Sequence, residues 1–142
     1  MIEGISNNKN IHLTEIQIRF NDLDIVKHVN NAIYQEYFDI AKTQLFNHIF
    51  GDTIDWKTKG LVLAHIEIDY HSPTYFSDEI IVESSITKIG TKSFDLTQII
   101  RTKNSKGEEG IKCIGKSIMV AYHYQEAYSF PLPLEWINLI NI

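Results

Sequence analysis

Cysteine is nearly absent from this sequence, in which Cys113 is the only one. A single cysteine excludes an intramolecular disulfide, and this favours a reducing compartment. Cys113 lies within an apolar strand pattern without a neighbouring group that would activate its thiol, which is typical of a small core residue. We therefore expect a cytoplasmic protein that makes no use of cysteine chemistry.

The sequence also lacks an excess of basic residues and any long apolar run. Lysine and arginine number 13 against 18 aspartates and glutamates, which gives a net charge of −5. A basic patch for nucleic acid is not indicated, and no block of like charges suggests a binding tail. Residues 1–10 have neither the basic nor the apolar segment of a signal peptide, and no run approaches a membrane span. We expect no nucleic-acid partner and no contact with a membrane.

Several familiar catalytic signatures are missing as well. The six histidines show no pair at the i, i+4 spacing of a helical metal site. The nucleophile elbow Gly-x-Ser-x-Gly and the glycine-rich phosphate loops are also absent. The sequence therefore predicts no metal and no cofactor, and it does not indicate serine chemistry.

What is present is the pattern of one α+β domain that spans residues 1–142. Alternating apolar residues predict a first strand at 12–20, and helical spacing predicts a helix at 31–50 that Gly51 ends. Further strands are predicted at 61–71, 78–89, 92–103 and 111–124, with a hairpin turn at 104–110 and a short helix at 134–140. The order β-α-β-β-β-β indicates a mostly antiparallel sheet packed with one long helix.

The long helix has an unusually wide apolar arc. A first stripe at helical spacing predicts core positions at Tyr34, Phe38, Ala41, Leu45 and Ile49. Further apolar residues widen the arc to both sides, namely Ile33, Tyr37, Ile40 and Phe46. Such a helix is buried on several sides, and a sheet that curls around it would bury it in this way.

Polar residues with chemical potential are concentrated just before this helix. Two carboxylates, one histidine and two asparagines fall within ten positions, at Asp22, Asp24, His28, Asn30 and Asn31. The first backbone N–H groups of a helix lack internal partners and carry the positive end of its dipole, so they can polarise a carbonyl oxygen. A carboxylate beside them would supply a base or a nucleophile, as acyl transfer requires.

Structural alternatives exist for each of these residues. Asp22 or Asp24 can be a turn carboxylate that accepts hydrogen bonds from nearby backbone N–H groups. His28 can be a structural loop histidine, and Asn30 or Asn31 can cap the helix whatever the function. The residue types alone leave these alternatives open.

The motif around the helix start resembles the signature of a known family. It reads Asp24-x-x-x-His28-Val29-Asn30-Asn31-x-x-Tyr34-x-x-Tyr37-Phe38-x-x-Ala41-Lys42. This resembles the hot-dog-fold acyl-CoA thioesterases related to 4-hydroxybenzoyl-CoA thioesterase. Later landmarks are also similar, at Tyr70-x-x-Pro73, Asp78, Lys92-Ser93-Phe94 and Pro131-x-Pro133, so that the resemblance spans about residues 13–137. It implies a hot-dog fold, in which a five-stranded, mostly antiparallel sheet wraps a long central helix, and homodimers or homotetramers with active sites between subunits.

The resemblance also implies an activity, which is hydrolysis of acyl-CoA to free acid and CoA. Asp24 corresponds to the catalytic base or nucleophile, and the N–H groups around residues 29–31 correspond to the carbonyl-polarising helix start. The implied catalytic set is Asp24, His28 and Asn31, and the implied substrate-binding set is Val29, Asn30, Tyr34, Lys88 and Lys92. The two lysines stand for the basic run that binds the CoA phosphates in close relatives. Asp22 has no counterpart role.

Two positions depart from relatives of this kind. Val26 stands where plant acyl-carrier-protein thioesterases have asparagine, which argues against their mechanism. Lys42 stands where arginine is common, and a lysine cannot make the bidentate contact of an arginine. Hydrolysis of acyl-carrier-protein esters and a non-catalytic acyl-binding module remain the alternative functions.

Overall fold

The computed structural model describes residues 10–105 and 107–140. Its long elements confirm the predicted order, with one long helix inserted after the first strand. The elements are β1 (His12–Ile16), α1 (Ile33–Phe50), β2 (Lys59–Tyr70), β3 (Ile80–Ile89), β4 (Ser93–Thr102), β5 (Ile111–His123), β6 (Tyr128–Ser129) and α2 (Leu134–Leu139). Single turns of 3-10 helix are formed by Phe20–Asp22, Gly51–Thr53 and Glu108–Gly110.

The sheet is antiparallel throughout the described part of the chain, with the strand order β1-β3-β4-β5-β2. The two-residue strand β6, which the sequence pattern did not predict, pairs with the end of β5. The curled sheet wraps α1, which confirms the predicted hot-dog fold. Alternate side chains of β4 form one buried face of this strand, at Phe94, Leu96, Gln98 and Ile100.

The prediction of buried positions on α1 is confirmed for the centre of the apolar arc and is wrong at one side of it. Tyr34, Phe38, Ala41 and Leu45 are all buried. Ile40, which was included in the widened arc, is 48% exposed. It lies two residues after Phe38, which is about 200° around the helix and therefore on the side away from the sheet.

Local hydrogen bonds explain where α1 begins and where it ends. At the start, Asn30 accepts a hydrogen bond from the Ala32 N–H on its Oδ1 at 3.0 Å and one from the Ile33 N–H on its carbonyl at 2.8 Å. Asn30 therefore caps the helix, as expected, although regular helix begins two residues later than predicted. At the end, Gly51 adopts φ +51°, a left-handed conformation that favours glycine, and its N–H bonds to the Asn47 carbonyl.

The first strand is shorter than predicted. It ends at Ile16, which pairs with Ile80, the first residue of β3. Beyond that point β3 offers no partner, and the chain turns into a short 3-10 helix at Phe20, whose side chain is exposed. The alternating pattern continues past Ile16, but the available partner strand does not.

The C-terminal helix α2 closes one end of the core. Trp136 is buried and lies against Phe50 and Phe130, with ring centroids 6.2 Å and 5.8 Å apart. Among the helices of residues 10–105 and 107–140, none is long and apolar enough to cross a membrane.

Candidate functional site

The loop before α1 is anchored by Asp22, whose side chain is fully buried. Its carboxylate accepts hydrogen bonds from the Tyr37 hydroxyl at 2.6 Å, the Arg19 N–H at 2.9 Å and the Arg19 guanidinium at 3.1 Å. Its backbone carbonyl accepts a further bond from the Asn30 N–H at 2.9 Å. Asp22 is thus more than the turn carboxylate expected from the sequence, because it ties both ends of the loop to the helix.

These contacts change the acidity of both partners. Burial by itself raises the pKa of Asp22, but the hydrogen bonds from Tyr37 and Arg19 and the guanidinium charge outweigh it, so the pKa lies below its ordinary value. The pKa of Tyr37 is raised, first by burial and then by the Asp22 carboxylate. Asp22 is therefore ionised and fully engaged at neutral pH, and it is unsuited to act as a base.

We expect Asp22→Asn to destabilise the fold by about 1–3 kcal/mol at pH 7, because charge-assisted hydrogen bonds are lost in a buried site. The lowered pKa means that the carboxylate contributes in full above its unfolded value near 3.8, and that the contribution is lost as the pH falls through the lower folded value. Urea unfolding of both proteins at pH 7 and at about pH 3 measures this. The difference in the free energy of unfolding between the two proteins should shrink in acid.

Asp39→Asn, on the exposed surface of α1, is the control and should change the free energy of unfolding by less than about 0.5 kcal/mol. An undiminished difference in acid would contradict the assigned role.

Asp24 lies in the tight turn that Asp22 anchors. Its N–H donates to the His28 carbonyl at 2.8 Å, and its own carbonyl accepts from the Lys27 N–H at 2.9 Å. Its Oδ1 accepts hydrogen bonds from the N–H groups of Val26 and His28, at 3.0 Å and 3.2 Å. The described residues donate two hydrogen bonds to this carboxylate, and Oδ1 accepts both of them. The structural role of Asp24 and a chemical role for its Oδ2 are therefore compatible.

A cavity of about 260 Å³ adjoins this turn. Asp24, His28, Asn31 and Tyr34 all line it, together with Val29. The remaining lining residues are the last residue of β2 and the three that follow it, namely Tyr70, His71, Ser72 and Pro73. The structure thus brings together five of the eight residues predicted for the site.

The backbone N–H groups at the helix start are less available than the sequence suggested. The Val29 N–H donates to the Thr74 carbonyl at 2.8 Å, and the Asn30 N–H donates to Asp22. The N–H groups of Ala32 and Ile33 both donate to oxygen atoms of Asn30. In the described part of the chain, Asn31 is the one residue from 29 to 33 whose N–H has no such acceptor. The expectation that Val29 and Asn30 polarise a carbonyl through their N–H groups is corrected accordingly, and Asn31 is the remaining candidate.

Two tyrosines form one wall of the cavity. The buried Tyr34 hydroxyl donates to the Thr74 Oγ1 at 2.9 Å, and burial raises the pKa of Tyr34. The Tyr70 hydroxyl donates to the Asn31 carbonyl at 3.2 Å, and the two rings meet edge to face at 5.5 Å. Tyr70 was not among the predicted site residues. The landmark Tyr70-x-x-Pro73 was the available signal, because it marks the strand end that reaches the helix start.

Lys88 and Lys92 do not line this cavity. Tyr70 aligns across the sheet with Cys113, Ile100 and Val82. Lys88 lies six residues further along β3, which corresponds to about 20 Å, and Lys92 follows in the next turn. Both lysines are therefore at the opposite end of the sheet within one subunit, because β3 runs away from the cavity.

Other chemistries gain no support from the described residues. Within ranges 10–105 and 107–140, no three side chains among histidine, cysteine, aspartate and glutamate are grouped to hold a metal ion. Cys113 is fully buried, and burial raises the pKa of its thiol to about 12. A thiol of this kind is inert, which agrees with the predicted core role.

Comparison with known proteins identifies a family. The model of the thioesterase-like superfamily matches residues 18–138 of the chain. The long-chain acyl-CoA thioesterase FadM of Escherichia coli (strain K12) is 32% identical over 90 residues, which cover 61% of this chain and 67% of that protein.

Solved structures agree with this assignment. A thioesterase from Thermus thermophilus, determined in complex with coenzyme A and zinc, is 25% identical and has a TM-score of 0.77, with 90% of each chain covered. A predicted thioesterase from Bacillus stearothermophilus is 22% identical and has a TM-score of 0.79, with 91% of this chain and 93% of that chain covered, a likeness that concerns the fold alone. With the family match extending over most of its length, the chain belongs to the thioesterase-like superfamily and is a thioester hydrolase with the hot-dog fold.

Proposed function

We propose that the protein hydrolyses acyl-CoA thioesters to the free acid and CoA in the cavity beside Asp24. The observation that carries the proposal is the shared cavity of the Asp24 carboxylate and Asn31, whose N–H lies at the positive end of α1. The similarity to FadM, a long-chain acyl-CoA thioesterase, and to an enzyme that was solved with coenzyme A supports this substrate class.

In the proposed reaction, the thioester carbonyl oxygen accepts a hydrogen bond from the Asn31 N–H. The helix dipole and this donor stabilise the negative charge that develops on the oxygen. Asp24 either takes a proton from the attacking water or attacks the carbonyl carbon itself, which forms an anhydride that water then opens. In both cases the C–S bond breaks, the electron pair leaves on sulfur, and the acid and the CoA thiol are released.

A site with so few catalytic groups is sufficient for the hydrolysis of a thioester. A thiol has a pKa of about 8.5, so the thiolate is a good leaving group and needs no strong general acid. His28 lines the same cavity, and its ring lies edge-on to Tyr75 at 5.0 Å. We assign to His28 the orientation of the attacking water through a ring nitrogen. Tyr34 forms the wall on which the acyl carbonyl end rests.

The edge strand β2 supports a homodimer as the functional unit. It is a long edge with β5 as its neighbour on one side, and such an edge is a template for pairing with a second copy. An antiparallel pair of β2 strands about a two-fold axis would bring the Lys59 end of one subunit to the Tyr70 end of the other. The partner's Lys88 and the partner's Lys92 would then lie at the same end of the joint sheet as the Asp24 cavity, where CoA phosphates need cations.

We therefore expect sedimentation at micromolar concentration to show a dimer or a dimer of dimers. Ile66→Pro, near the middle of β2, removes a backbone N–H that points to the open edge of the strand, and it should shift the distribution toward the monomer of 16.4 kDa. Ile81→Pro, in the inner strand β3, is not a usable control because it would break the sheet. The matched control is Leu13→Pro in β1, the opposite edge strand, because the Leu13 N–H also points to an open edge. A wild-type protein that sediments only as a monomer would contradict the proposed assembly.

The activity itself is tested by the release of free thiol from a panel of acyl-CoA esters. Acyl esters of acyl-carrier protein belong in the same panel, because that alternative predicts a strong preference for the protein-bound substrate. A preference for acyl-CoA is the expected result. An absence of thiol release from both substrate classes would contradict the proposed function.

A further inference from the structure

A β-bulge interrupts β5 at Lys112. Cys113 pairs with Ile100 of β4, and Ile111 pairs with the residue that follows Ile100. Lys112 is therefore an extra residue in this part of the ladder. Cys113 packs with Ile100 in the core cluster that includes α1, whereas Ile111 packs with Ile99, on the opposite face of the sheet. Bulges of this kind turn a side chain out of the regular pattern, and they are common beside active sites.

The side chain of Lys112 holds the loop that follows β2. We call residues 71–78 the wall loop, because its first three residues line the cavity of Asp24. The Lys112 ammonium donates to the Pro73 carbonyl at 3.0 Å and lies 3.4 Å from the Asp78 carboxylate. The Lys112 carbonyl accepts hydrogen bonds from the N–H groups of the first two residues of the loop, at 2.9 Å and 3.2 Å. A single residue of β5 thus binds the wall loop at its beginning and at its end.

The contacts at the end of the wall loop depend on charge. The side chains of Lys112 and Asp78 are only 12% and 22% exposed, so solvent screens this ion pair less than it screens a surface pair. The Asp78 Oδ2 that faces the ammonium also accepts a hydrogen bond from the Tyr75 N–H at 2.8 Å. The Asp78 N–H in turn donates to the Tyr75 carbonyl at 3.0 Å. Lys112 is therefore connected to the backbone of Tyr75 through one ion pair.

The middle of the wall loop contacts three residues of the site. Tyr75 forms an isolated antiparallel bridge with His28, and its ring lies edge-on to the His28 ring at 5.0 Å. Thr74 accepts hydrogen bonds from the Val29 N–H at 2.8 Å and from the Tyr34 hydroxyl at 2.9 Å. His28, Val29 and Tyr34 all line the cavity. The conformation of the wall loop therefore sets the positions of these three residues.

We propose that Lys112 is a positioning residue of the thioester site, which holds the wall loop so that Tyr75 fixes the His28 ring. The proposal rests on the proposed function, because it assumes that His28 and Asp24 act on a thioester in the cavity. Lys112 lies outside the set of described residues that line the cavity, so its effect on the reaction is indirect. A shift of about 1 Å in a catalytic group can lower a rate by about 100-fold, so a remote lysine can control the rate in this way.

The test compares Lys112→Met with Lys112→Arg. Methionine keeps most of the length of the side chain but has no charge and no donor, so the wall loop loses both of its contacts with the ammonium. We expect kcat for the best acyl-CoA, expressed per folded enzyme, to fall by about 10–100-fold, with KM changed by less than about threefold. Arginine keeps the charge and the donors, and it should restore kcat to within about threefold of the wild type.

The matched control is Arg101→Met. The Arg101 guanidinium also pairs with a carboxylate, that of Glu83 at 2.9 Å, and donates to a backbone carbonyl, that of Ser105. Its side chain is 20% exposed, which is close to the 12% of Lys112. Glu83 and Ser105 are not among the described residues that line the cavity. Arg101→Met should therefore lower stability, as Lys112→Met does, but leave kcat per folded enzyme unchanged.

Two further measurements follow the connection from Lys112 to His28. In the Tyr75→Ala background, Lys112→Met should lower kcat by less than about threefold, because its route to His28 is already broken. NMR signals of the His28 ring, assigned by their loss in His28→Gln, should shift in Lys112→Met and stay in place in Arg101→Met. Asp78→Asn breaks the same ion pair from the other side and should also lower kcat, so the test does not depend on the folding of one variant.

The outcomes separate this proposal from the proposed function. Wild-type kcat per folded enzyme in both Lys112→Met and Asp78→Asn would overturn the proposal and leave the proposed function standing. Equal losses of kcat in Lys112→Met and Arg101→Met would also overturn it, as would an undiminished loss in the Tyr75→Ala background. If no ester is hydrolysed, the proposed function fails. A shift of the His28 signals in Lys112→Met would then still support the positioning of the ring, and unmoved signals would overturn it.

Discussion

Asp24→Asn is expected to lower kcat for the best acyl-CoA by about 10²–10⁴-fold, with little change in KM or in the fold. Asparagine retains a side-chain oxygen that can accept the hydrogen bonds from the N–H groups of Val26 and His28, so the turn should survive. The amide can neither take a proton from water nor attack a carbonyl at neutral pH. The expected loss corresponds to about 3–5 kcal/mol of barrier, and a nucleophilic role would cost more.

The internal control is Asp22→Asn, two residues away. Its carboxylate is buried against Tyr37 and Arg19, so the substitution should lower stability and leave most of the rate. Steady-state kinetics of both variants, with circular dichroism to confirm folding, make the comparison. Retention of more than about a tenth of wild-type kcat by Asp24→Asn would refute the assignment, as would a dead Asp22→Asn variant that is well folded.

Leu45→Ala is expected to destabilise the protein by about 2–5 kcal/mol, because it deletes a buried side chain and leaves a cavity. Leu45 is buried in the core cluster that includes Phe94, Leu96 and Met119, so several elements around it lose contacts. Urea unfolding at fixed protein concentration is the measurement, since association would add to the apparent stability.

Ile40→Ala is the matched control for Leu45→Ala. Both residues are aliphatic and lie on α1, but Ile40 is 48% exposed whereas Leu45 is 2% exposed. Its substitution should change the free energy of unfolding by less than about 0.5 kcal/mol. Equal effects of the two substitutions would show that the sheet-facing side of α1 has been misassigned.

Local pattern was sufficient to predict most of the fold. The 3.6-residue spacing from Tyr34 to Leu45 and the twofold spacing from Phe94 to Ile100 each identify a buried face, because side-chain direction follows directly from helix and strand geometry. Where the pattern gave a wrong prediction, the outcome depended on which elements pack against each other in the fold. The alternation past Ile16 does not form strand because β3 begins at Ile80, and Ile40 is apolar but faces away from the sheet.

The candidate site was predictable in part for a similar reason. Asp24, His28 and Asn31 are close in sequence, and a tight turn followed by a helix keeps them together. Tyr70, by contrast, is 39 residues from Asn31 and reaches it across the fold. No local pattern reports such a contact, and only the resemblance to a known family marked the end of β2 as relevant.

By itself, the sequence determined the element order, the buried face of α1, the inert cysteine and the polar cluster at the helix start, since all of these depend on residue type and short-range spacing. The tertiary structure decided how each polar group is used. It bonds Asp22 to Tyr37, gives the N–H groups of Val29 and Asn30 to Thr74 and Asp22, and leaves Asn31 as the candidate donor. It also places Lys88 and Lys92 at the far end of the sheet. These outcomes depend on which groups meet across the fold, because a hydrogen bond forms only between partners that the packing brings within about 3 Å.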